Sequence, residues 1–390
     1  MIPRDDDWAG GGSAAPGLDT ETLICVGALL AFGTVMVFSA TSSIGAGAAF
    51  AFADTGELKR HLASIVLALA AGAVVYRVPM SFWFRWSNVI GVLGILALMC
   101  VLLPYVGKSV NGARRWIQLG GFSIQASELV KVGALIFAAA FTVKRQEYMH
   151  SFLSGFTPIA LPMVLIAFLL MQQPDLGATA VIVVEIMGVL FLGGLSLTIF
   201  LSVTAIVVAF VGLMIYMTPW RLSRVFAYLD PWSEEYVLGQ SYQLSHSLIA
   251  FGRGEIFGVG LGGSVEKLNY LPEAHTDFIM AVIAEETGFV GVILVLFLFY
   301  WLIRRAFEIG RQAIKLERYF AGLLAQGVGL WYGAQVVVNV GVASGALPTK
   351  GLTLPFVSFG GSALLSSMIA IGLLLRVDRE NKILMRGGQV

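Results

Sequence analysis

Residues 176–217 read LGATAVIVVEIMGVLFLGGLSLTIFLSVTAIVVAFVGLMIYM, a run whose single charged side chain is that of Glu185. At ~1.5 Å per residue, one helix of this length would measure ~63 Å, about twice the hydrocarbon thickness of a bilayer. Two helices are therefore required, and Gly193 and Gly194 are the natural position for the break between them. The stretch predicts a chain that crosses a membrane repeatedly.

The same pattern extends along the chain. Of its 390 residues, 57% are hydrophobic and only 13% are charged, and the apolar residues form runs of the length that a transmembrane helix needs. This distribution excludes a soluble two-domain enzyme. It predicts an all-α polytopic membrane protein of about ten transmembrane helices, with one large extracytoplasmic loop between helices 7 and 8. The predicted spans are 22–42, 61–78, 85–104, 127–143, 156–172, 176–193, 196–217, 277–303, 320–341 and 359–376.

The positions of Lys and Arg predict the orientation of these spans. The segments on the N-terminal side of the membrane carry fourteen Lys and Arg, whereas the short loops on the opposite side carry six. Both termini are therefore predicted to be cytoplasmic. Residues 1–21 are predicted to form a disordered tail and 377–390 a second tail, flanking a membrane domain of 22–376 whose 219–276 loop lies outside.

Several functional classes are excluded or unsupported. A net charge of +1 without a basic stripe argues against nucleic acid as a partner. The four histidines are scattered and no zinc-binding spacing occurs, so metal ligands cannot be assigned and no organic cofactor is expected. Residues 258–263 satisfy G-x-G-x-x-G without the strand and helix of a dinucleotide fold, which favours turns or a close backbone approach.

The segment LPEAHTDFIMAVIAEE, residues 271–286, holds the first candidate site. His275, Thr276 and Asp277 immediately precede an apolar helix, and Thr276 or Asp277 is suited to cap it. Alternatively, Asp277 is a general base at the outer membrane interface. Glu285 and Glu286 lie two turns further along, which indicates a helix face turned into the bundle.

A second polar cluster, NGARRWIQLGGFSIQASELVK, spans residues 111–131. Arg115 and Lys131 have the charge to neutralise an anionic head group, but arginines here also suit a simple interfacial anchor. Glu128 and Lys131 have the i, i+3 spacing of an intrahelical pair. Glu185 lies mid-span, where an ionisable group is costly and is expected to have a function or a partner, for which Lys131 is a candidate.

The third cluster combines QQPDLGAT, residues 172–179, with LPTKGLTLPFVSFGGSAL, residues 347–364. Asp175 is a rival carboxylate to Asp277, although Pro-Asp also begins a helix well. Lys350 is placed either to bind a phosphate or to act as an ordinary interfacial lysine. The sequence alone leaves these alternatives open.

YLPEAHTDFI, NGARRWIQLGG, QQPDLG and LPTKGLTLPFVSFGGSAL together resemble the SEDS (shape, elongation, division and sporulation) family over nearly the whole chain. The stretch from Gly239 to Phe278 is more similar to the cell-division members than to the elongation members. Ala126 stands where the family often has proline, and Thr287 where it usually has leucine. Neither departure affects a proposed catalytic group.

The resemblance implies a peptidoglycan glycosyltransferase that polymerises lipid II at the outer face of the bacterial cytoplasmic membrane, at the division septum. It implies a class B penicillin-binding protein and other division membrane proteins as partners, and Asp277 as the catalytic carboxylate. The leaving undecaprenyl pyrophosphate then needs cations, with Mg²⁺ or Mn²⁺ as an additional candidate. The outer candidates are Arg115, Lys131, Arg221, Arg224 and Lys350, and His275 and Thr276 are further candidates for binding the substrate. The secondary candidates for the carboxylate are Asp175, Glu185, Glu285 and Glu286.

Two other functions are compatible with the chain. A lipid II flippase needs ionisable residues along a path through the membrane, and a division scaffold needs no catalytic carboxylate. The polar residues are concentrated on one side of the predicted membrane, which favours surface chemistry over transport.

Overall fold

The computed structural model describes residues 17–41, 56–104, 106–110, 113–119 and 122–389, and within them twelve α-helices and three β-strands. Residues 1–16 of the predicted tail at 1–21 lie outside the described residues, whereas Thr20 and Glu21 already belong to the first helix. The helices are α1 (Thr20–Thr41), α2 (Gly56–Arg77), α3 (Met80–Leu102), α4 (Ala126–Lys144), α5 (Thr157–Gln172), α6 (Leu176–Leu192), α7 (Leu197–Tyr216), α8 (Pro219–Leu229), α9 (Tyr242–Gly254), α10 (Ile279–Lys315), α11 (Tyr319–Ala343) and α12 (Gly361–Met385). The strands are β1 (Gly107–Val110), β2 (Ala113–Leu119) and β3 (Phe122–Gln125).

The membrane architecture predicted from the sequence is confirmed. Nine helices of the described chain are long and apolar enough to cross a membrane, and α6, with 17 residues, is a shorter apolar helix. The predicted break is also confirmed, because α6 ends at Leu192 and α7 begins at Leu197. Gly194 occupies the left-handed region with φ 103°, and the Ser196 hydroxyl caps α7 by accepting the amide of Ile199.

Helix α10 is longer than predicted and consists of two helical segments. The prediction ended the span at residue 303, whereas the helix continues to Lys315. Gly288 interrupts it with φ 67° and ψ −167°, a conformation suited to glycine alone. The segment after Gly288 has 27 residues, ~40 Å of helix, and is therefore long enough to cross the bilayer by itself.

Ion pairs join the helices at one end of the bundle. Arg305 contacts Asp19 at 2.7 Å, and Glu380 contacts Arg318 and, at 2.6 Å, Arg376. These pairs explain why α12 continues to Met385, beyond the predicted boundary at residue 376, since buried Glu380 lies on that extension. The opposite end, where α4 and α12 begin and α11 ends, is called the site end below.

A three-stranded antiparallel sheet, ordered β1-β2-β3, lies at the site end and was not predicted. Its strands have only four, seven and four residues, too few for an alternating pattern to be recognised. β3 leads directly into α4, and the amide of Gln125 donates to the Ser362 hydroxyl of α12 at 2.9 Å. The sheet thereby fixes Arg115, which β2 carries.

Candidate active site

Asp277 lies at the site end in the turn that precedes α10, and its side chain is half-buried. Phe278 is the residue at the helix start and makes no side-chain capping bond. The Thr276 hydroxyl donates instead to a Glu273 carboxylate oxygen at 2.7 Å. The alternative that Thr276 or Asp277 caps α10 is therefore wrong, and the Asp277 carboxylate is left for another role.

Asn339 of α11 holds two backbone segments together next to this carboxylate. Its side-chain amide nitrogen donates to the carbonyl of Asp277 at 2.9 Å and to the carbonyl of Leu352 at 2.5 Å. Asn339 is 1% exposed, so both bonds are shielded from water. One side chain thus joins the Asp277 turn to residues 347–360, called the Lys350 loop below.

Further hydrogen bonds attach the Lys350 loop to the Asp277 turn. The Ser358 hydroxyl donates to the carbonyl of Thr276 at 2.7 Å, and the Phe359 amide donates to the carbonyl of His275 at 2.9 Å. The His275 ring also contacts the Phe359 ring, with centroids 5.6 Å apart. Of the two candidate residues that precede Asp277, His275 packs against the Lys350 loop, and Thr276 stabilises the Asp277 turn.

Burial raises the pKa of Asp277 to about 7. The neighbouring Glu273 carboxylate adds to this rise and so does that of Asp175, whereas the Arg115 guanidinium opposes it. A carboxylate with a pKa near the working pH is well matched to accept a proton in a reaction and release it afterwards.

Four of the five predicted cations influence one another at this site. Burial lowers the pKa of Lys350 to about 8 together with the positive charges of Arg224, Arg221 and Arg115, whereas Asp175 opposes the shift. Arg221 and Arg224 each lie 5.3 Å from the Trp220 ring of α8. Like charges held together in this way favour an anionic ligand, which relieves their repulsion.

Arg115 is fixed by the loop that joins α5 to α6. Its Nε donates to the carbonyl of Gln173 at 2.9 Å, and a terminal nitrogen donates to the carbonyl of Pro174 at 2.6 Å. These partners are neutral carbonyls, and among the described residues no carboxylate forms a salt bridge with the guanidinium. Tyr228 similarly ties α8 to the Lys350 loop region by donating to the carbonyl of Ala346 at 2.9 Å.

Lys131 does not belong to this cation cluster. Its side chain is fully buried, and its ammonium nitrogen lies 2.8 Å from a Glu128 carboxylate oxygen and donates to the side-chain oxygen Oε1 of Gln335 at 3.1 Å. The alternative of an i, i+3 pair with Glu128 is therefore confirmed, and the buried ammonium group is engaged by these two partners, apart from the other cations predicted to bind the pyrophosphate. Lys131 acts on Glu185, its predicted partner, through its charge. Both carboxylate oxygens of Glu185 lack a hydrogen-bond partner among the described residues.

Asp175 caps the start of α6, which confirms the alternative that Pro-Asp begins this helix. Its carboxylate accepts the amide of Ala178 at 3.1 Å, and also the Ser127 hydroxyl at 3.2 Å. It is 3% exposed. Asp175 is thus a capping residue that contributes negative charge to the site, and its carboxylate is already engaged.

Glu285 and Glu286 attach the large loop to α10. Glu285 pairs with Arg253 at 2.9 Å, and Glu286 pairs with Lys267 at 2.7 Å. The amides of Val259 and Gly260 donate to the backbone carbonyls of the same two glutamates, at 2.9 and 3.0 Å. Gly258 shows the close backbone approach that was predicted for the G-x-G-x-x-G glycines, because an added Cβ would lie 2.2 Å from the Glu286 carbonyl oxygen.

The sequence did not reveal Asn339 or Gln335, although a signal was present. Both are polar residues of the apolar helix α11 and lie four positions apart, hence on one face. Gln335 donates to the carbonyl of Thr353 at 2.8 Å, so both side chains support the Lys350 loop. Buried amides in a membrane helix are expected to have such partners.

In the part of the chain that the structure describes, no three His, Cys, Asp or Glu side chains come together in a group able to hold a metal ion. Magnesium usually takes only one or two carboxylates when substrate phosphates supply other ligands. We therefore derive no step through a resident metal ion.

Comparisons with known proteins show what the whole chain is similar to. A family model for cell cycle proteins of the FtsW, RodA and SpoVE type matches residues 20–383. Over 364 residues the chain is 54% identical to a Burkholderia thailandensis protein described as a probable peptidoglycan glycosyltransferase FtsW, covering 93% of this chain and 79% of the relative. A Nitrosomonas europaea protein with the same description is 45% identical, with 95% of each chain covered.

Solved structures share the fold. A chain of a peptidoglycan synthase complex, described as coordinating polymerization and crosslinking, matches with a TM-score of 0.76 and 28% identity, covering 94% of this chain and 98% of that one. The rod shape determining protein RodA of Thermus thermophilus matches with a TM-score of 0.67 and 29% identity, with the same coverage of both chains.

Proposed function

The chain belongs to the FtsW, RodA and SpoVE family of cell cycle proteins, and we propose that this multi-pass membrane peptidoglycan glycosyltransferase polymerises lipid II with Asp277 as its general base. The family confirms the resemblance drawn from the motifs, and the relatives' descriptions supply the class of activity. The observation that carries the role of Asp277 is a half-buried carboxylate, with a pKa of about 7, that lies within electrostatic range of Arg115 and against Gly351, the residue after Lys350.

The proposed reaction joins two lipid-linked sugars. A hydroxyl of the acceptor sugar attacks the anomeric carbon of the donor and gives its proton to the Asp277 carboxylate. The bond from that carbon to the diphosphate oxygen breaks, and undecaprenyl pyrophosphate leaves with the electron pair. Attack from the face opposite the leaving group inverts the anomeric centre.

The cation cluster suits the leaving group. The diphosphate gains negative charge as the bond breaks, and Arg115, Arg221, Arg224 and Lys350 are already positioned when that charge develops. Since Asn339 and Ser358 join the Lys350 loop to the Asp277 turn, the base and Lys350 keep a fixed relation. Mg²⁺ or Mn²⁺ enters the proposal only as a companion of the diphosphate, and no step is assigned to it.

The partners and cellular location are part of the same proposal. The likeness to a chain of a peptidoglycan synthase complex supports a class B penicillin-binding protein as the crosslinking partner. We also propose lipid II as substrate, other division membrane proteins as partners, enrichment at the septum, and both termini in the cytoplasm. The excess of Lys and Arg on the side of the termini supports this orientation.

The test uses the full chain purified with its class B partner and supplied with lipid II and Mg²⁺ or Mn²⁺. We expect wild type to form glycan polymer and Asp277→Asn to lose nearly all of it, while Asp230→Asn, a matched change at an exposed carboxylate at the end of α8, stays active. Normal polymerisation by a folded Asp277→Asn variant would refute the assignment of the base.

The same experiment separates the rival functions. Failure of the wild-type complex to form polymer under any of these conditions would overturn the enzyme proposal. A vesicle assay that showed lipid II transport without polymerisation would then favour the flippase. A chain inactive in both assays, yet still bound to its partner, would fit the scaffold.

A further inference from the structure

The helix that follows Asp277 is divided close to its start. Residues 279–287, called the first segment below, end at the interruption at Gly288, and residues 289–315 form the second segment. Each side chain from Ile279 to Glu286 is buried, so protein surrounds the first segment on every side. The position of Asp277 therefore depends on how this short helix is held.

The backbone hydrogen bonds of α10 do not continue across the interruption. In an uninterrupted helix the amides of Phe289 and Val290 would donate four residues back, to carbonyls of the first segment. They donate instead to carbonyls of the loop residues 255–260, at 2.9 and 3.1 Å. The carbonyls of Glu285 and Glu286, which lose these donors, accept amides of the same loop residues. The second segment therefore does not fix the direction of the first through a shared helix.

A turn of the large loop, residues 264–267, binds the end of the first segment through two carboxylates. The carboxylate of Glu285 accepts the amide of Val265 at 3.0 Å. The carboxylate of Glu286 lies 2.7 Å from the ammonium nitrogen of Lys267, and these two side chains are almost completely buried. The turn thus receives the helix as a loop with inward amides receives an anion.

Helix α1 contributes to the same contact. The Ser39 hydroxyl lies 2.8 Å from both carboxylate oxygens of Glu286 and accepts the ammonium group of Lys267 at 2.9 Å. Asp19, immediately before α1, pairs instead with Arg305 of the second segment at 2.7 Å. The two segments of α10 are therefore attached to α1 by separate polar contacts, one on each side of the interruption.

The contact at Glu286 fixes geometry more than it adds stability. A buried ion pair gives little net stability, because the loss of hydration offsets the attraction between the charges. Its hydrogen bonds are short and directional, however, and they set the distance between the turn and the helix. Glu286 lies nine residues beyond Asp277, ~14 Å along a helix. Movement at one end of so short a helix also moves the other end.

We infer that the ion pair of Glu286 and Lys267 is a positioning element for the proposed general base. It holds the first segment against the 264–267 turn and α1, and thereby sets where the Asp277 carboxylate lies. The inference rests on the proposed function, because it gives the pair a role in the reaction assigned to Asp277. Neither Glu286 nor Lys267 touches the reacting atoms, so both act through the helix.

The test uses the full chain purified with its class B partner. Lys267→Met leaves the Glu286 carboxylate buried without its cation, and should lower the thermal unfolding temperature. The double variant, Lys267→Met with Glu286→Gln, removes both charges and should unfold close to the wild-type temperature. We expect kcat to stay about tenfold below wild type in both variants, part of the ~100-fold loss that a displacement of ~1 Å causes. KM should change little, because the base is displaced and the bound substrate is not.

Arg305→Met is the matched control, because it also removes the cation of a pair between α1 and α10, but on the second segment. It should lower the unfolding temperature and leave kcat unchanged. Two results would show that activity follows stability alone and would overturn the inference. One is a wild-type kcat in the double variant, and the other is a loss of kcat in Arg305→Met as large as that in Lys267→Met.

A second measurement needs no catalysis. Dicyclohexylcarbodiimide reacts with protonated carboxyl groups, so its labelling of Asp277, followed by peptide mass spectrometry, should have a pH midpoint near 7 in wild type. The double variant removes one positive and one negative charge only 2.7 Å apart, which leaves the field at a distant carboxylate nearly unchanged. A shift of the midpoint in this variant therefore reports movement of Asp277.

A displaced Asp277 gains contact with water, which favours its ionised form. The midpoint should therefore move to lower pH in the double variant and stay near 7 in Arg305→Met. An unchanged midpoint in the double variant would overturn the inference. A shifted midpoint in a protein whose wild type forms no polymer would support the positioning of Asp277 by the pair and would refute only the proposed function.

Discussion

The α-carbon of Gly351 lies against the carboxylate of Asp277, so closely that an added Cβ would be 2.5 Å from Asp277 Oδ2. No side chain fits there without moving the carboxylate or the Lys350 loop. The glycine is required for close packing, since its φ is not in the left-handed region. Asp277, the proposed base, is therefore in direct contact with Gly351, the residue that follows Lys350.

Gly351→Ala should therefore displace the Asp277 carboxylate and lower kcat by about a hundredfold, the loss expected for a displacement of about 1 Å in an active site. Gly360→Ala is the matched control in the same loop, because its added Cβ would lie 3.4 Å from the nearest atom, on Thr353. Polymerisation kinetics on folded variants measure the difference. Equal activity of both variants would show that the position of the carboxylate does not limit the reaction.

The pKa of Asp277 predicts the pH dependence of kcat. A base must be ionised, so kcat should rise with pH and reach half its plateau near pH 7. Glu273→Gln removes a negative charge that raises this pKa, and should move the midpoint to lower pH. Arg115→Gln removes the positive charge that opposes the rise, and should move it to higher pH. Shifts of the same sign in the two variants would contradict the electrostatic assignment.

Asn339 is predicted to be a positioning residue. Asn339→Leu removes two buried hydrogen bonds, each with a net value of about 1 kcal/mol, and frees the Asp277 turn from the Lys350 loop. We expect kcat to fall about tenfold or more with little change in KM, because a misplaced base affects the chemical step. Gln326→Leu, a buried amide near the other end of α11, serves as control. A change confined to thermal stability would indicate a structural role only.

Removing the buried charge of Glu185 and removing that of Lys131 should have different effects on the stability of the protein. Glu185→Gln should leave the thermal unfolding temperature unchanged or raise it, since the carboxylate oxygens of Glu185 lack hydrogen-bond partners among the described residues. Lys131→Met should destabilise the protein by about 3–5 kcal/mol, because it leaves the Glu128 carboxylate buried without its cation. Thermal unfolding in detergent measures both. Equal destabilisation would show that Glu185 has a stabilising partner.

The sequence by itself determined the membrane-spanning helices and the break after Leu192, because the length of an apolar run and the positions of its glycines act locally. The motifs also identified Asp277 as a candidate and indicated the family. They did not predict the β-sheet, whose short strands depend on pairing between segments. The sequence also left the roles of Lys131 and Asp175 open. A charged residue near a helix end has the same local pattern whether its side chain binds a ligand or a neighbouring residue.

Only the tertiary structure decided which of these polar residues share a site. It brought Arg115 of β2, Arg221 and Arg224 of α8, and Lys350 into mutual electrostatic range, and it paired Lys131 with Glu128 instead. It also revealed the role of Asn339, whose side-chain amide donates to backbone carbonyls in two separate loops. The physical reason is that burial and Coulomb interactions depend on distances between segments far apart in sequence, and those distances are set by helix packing.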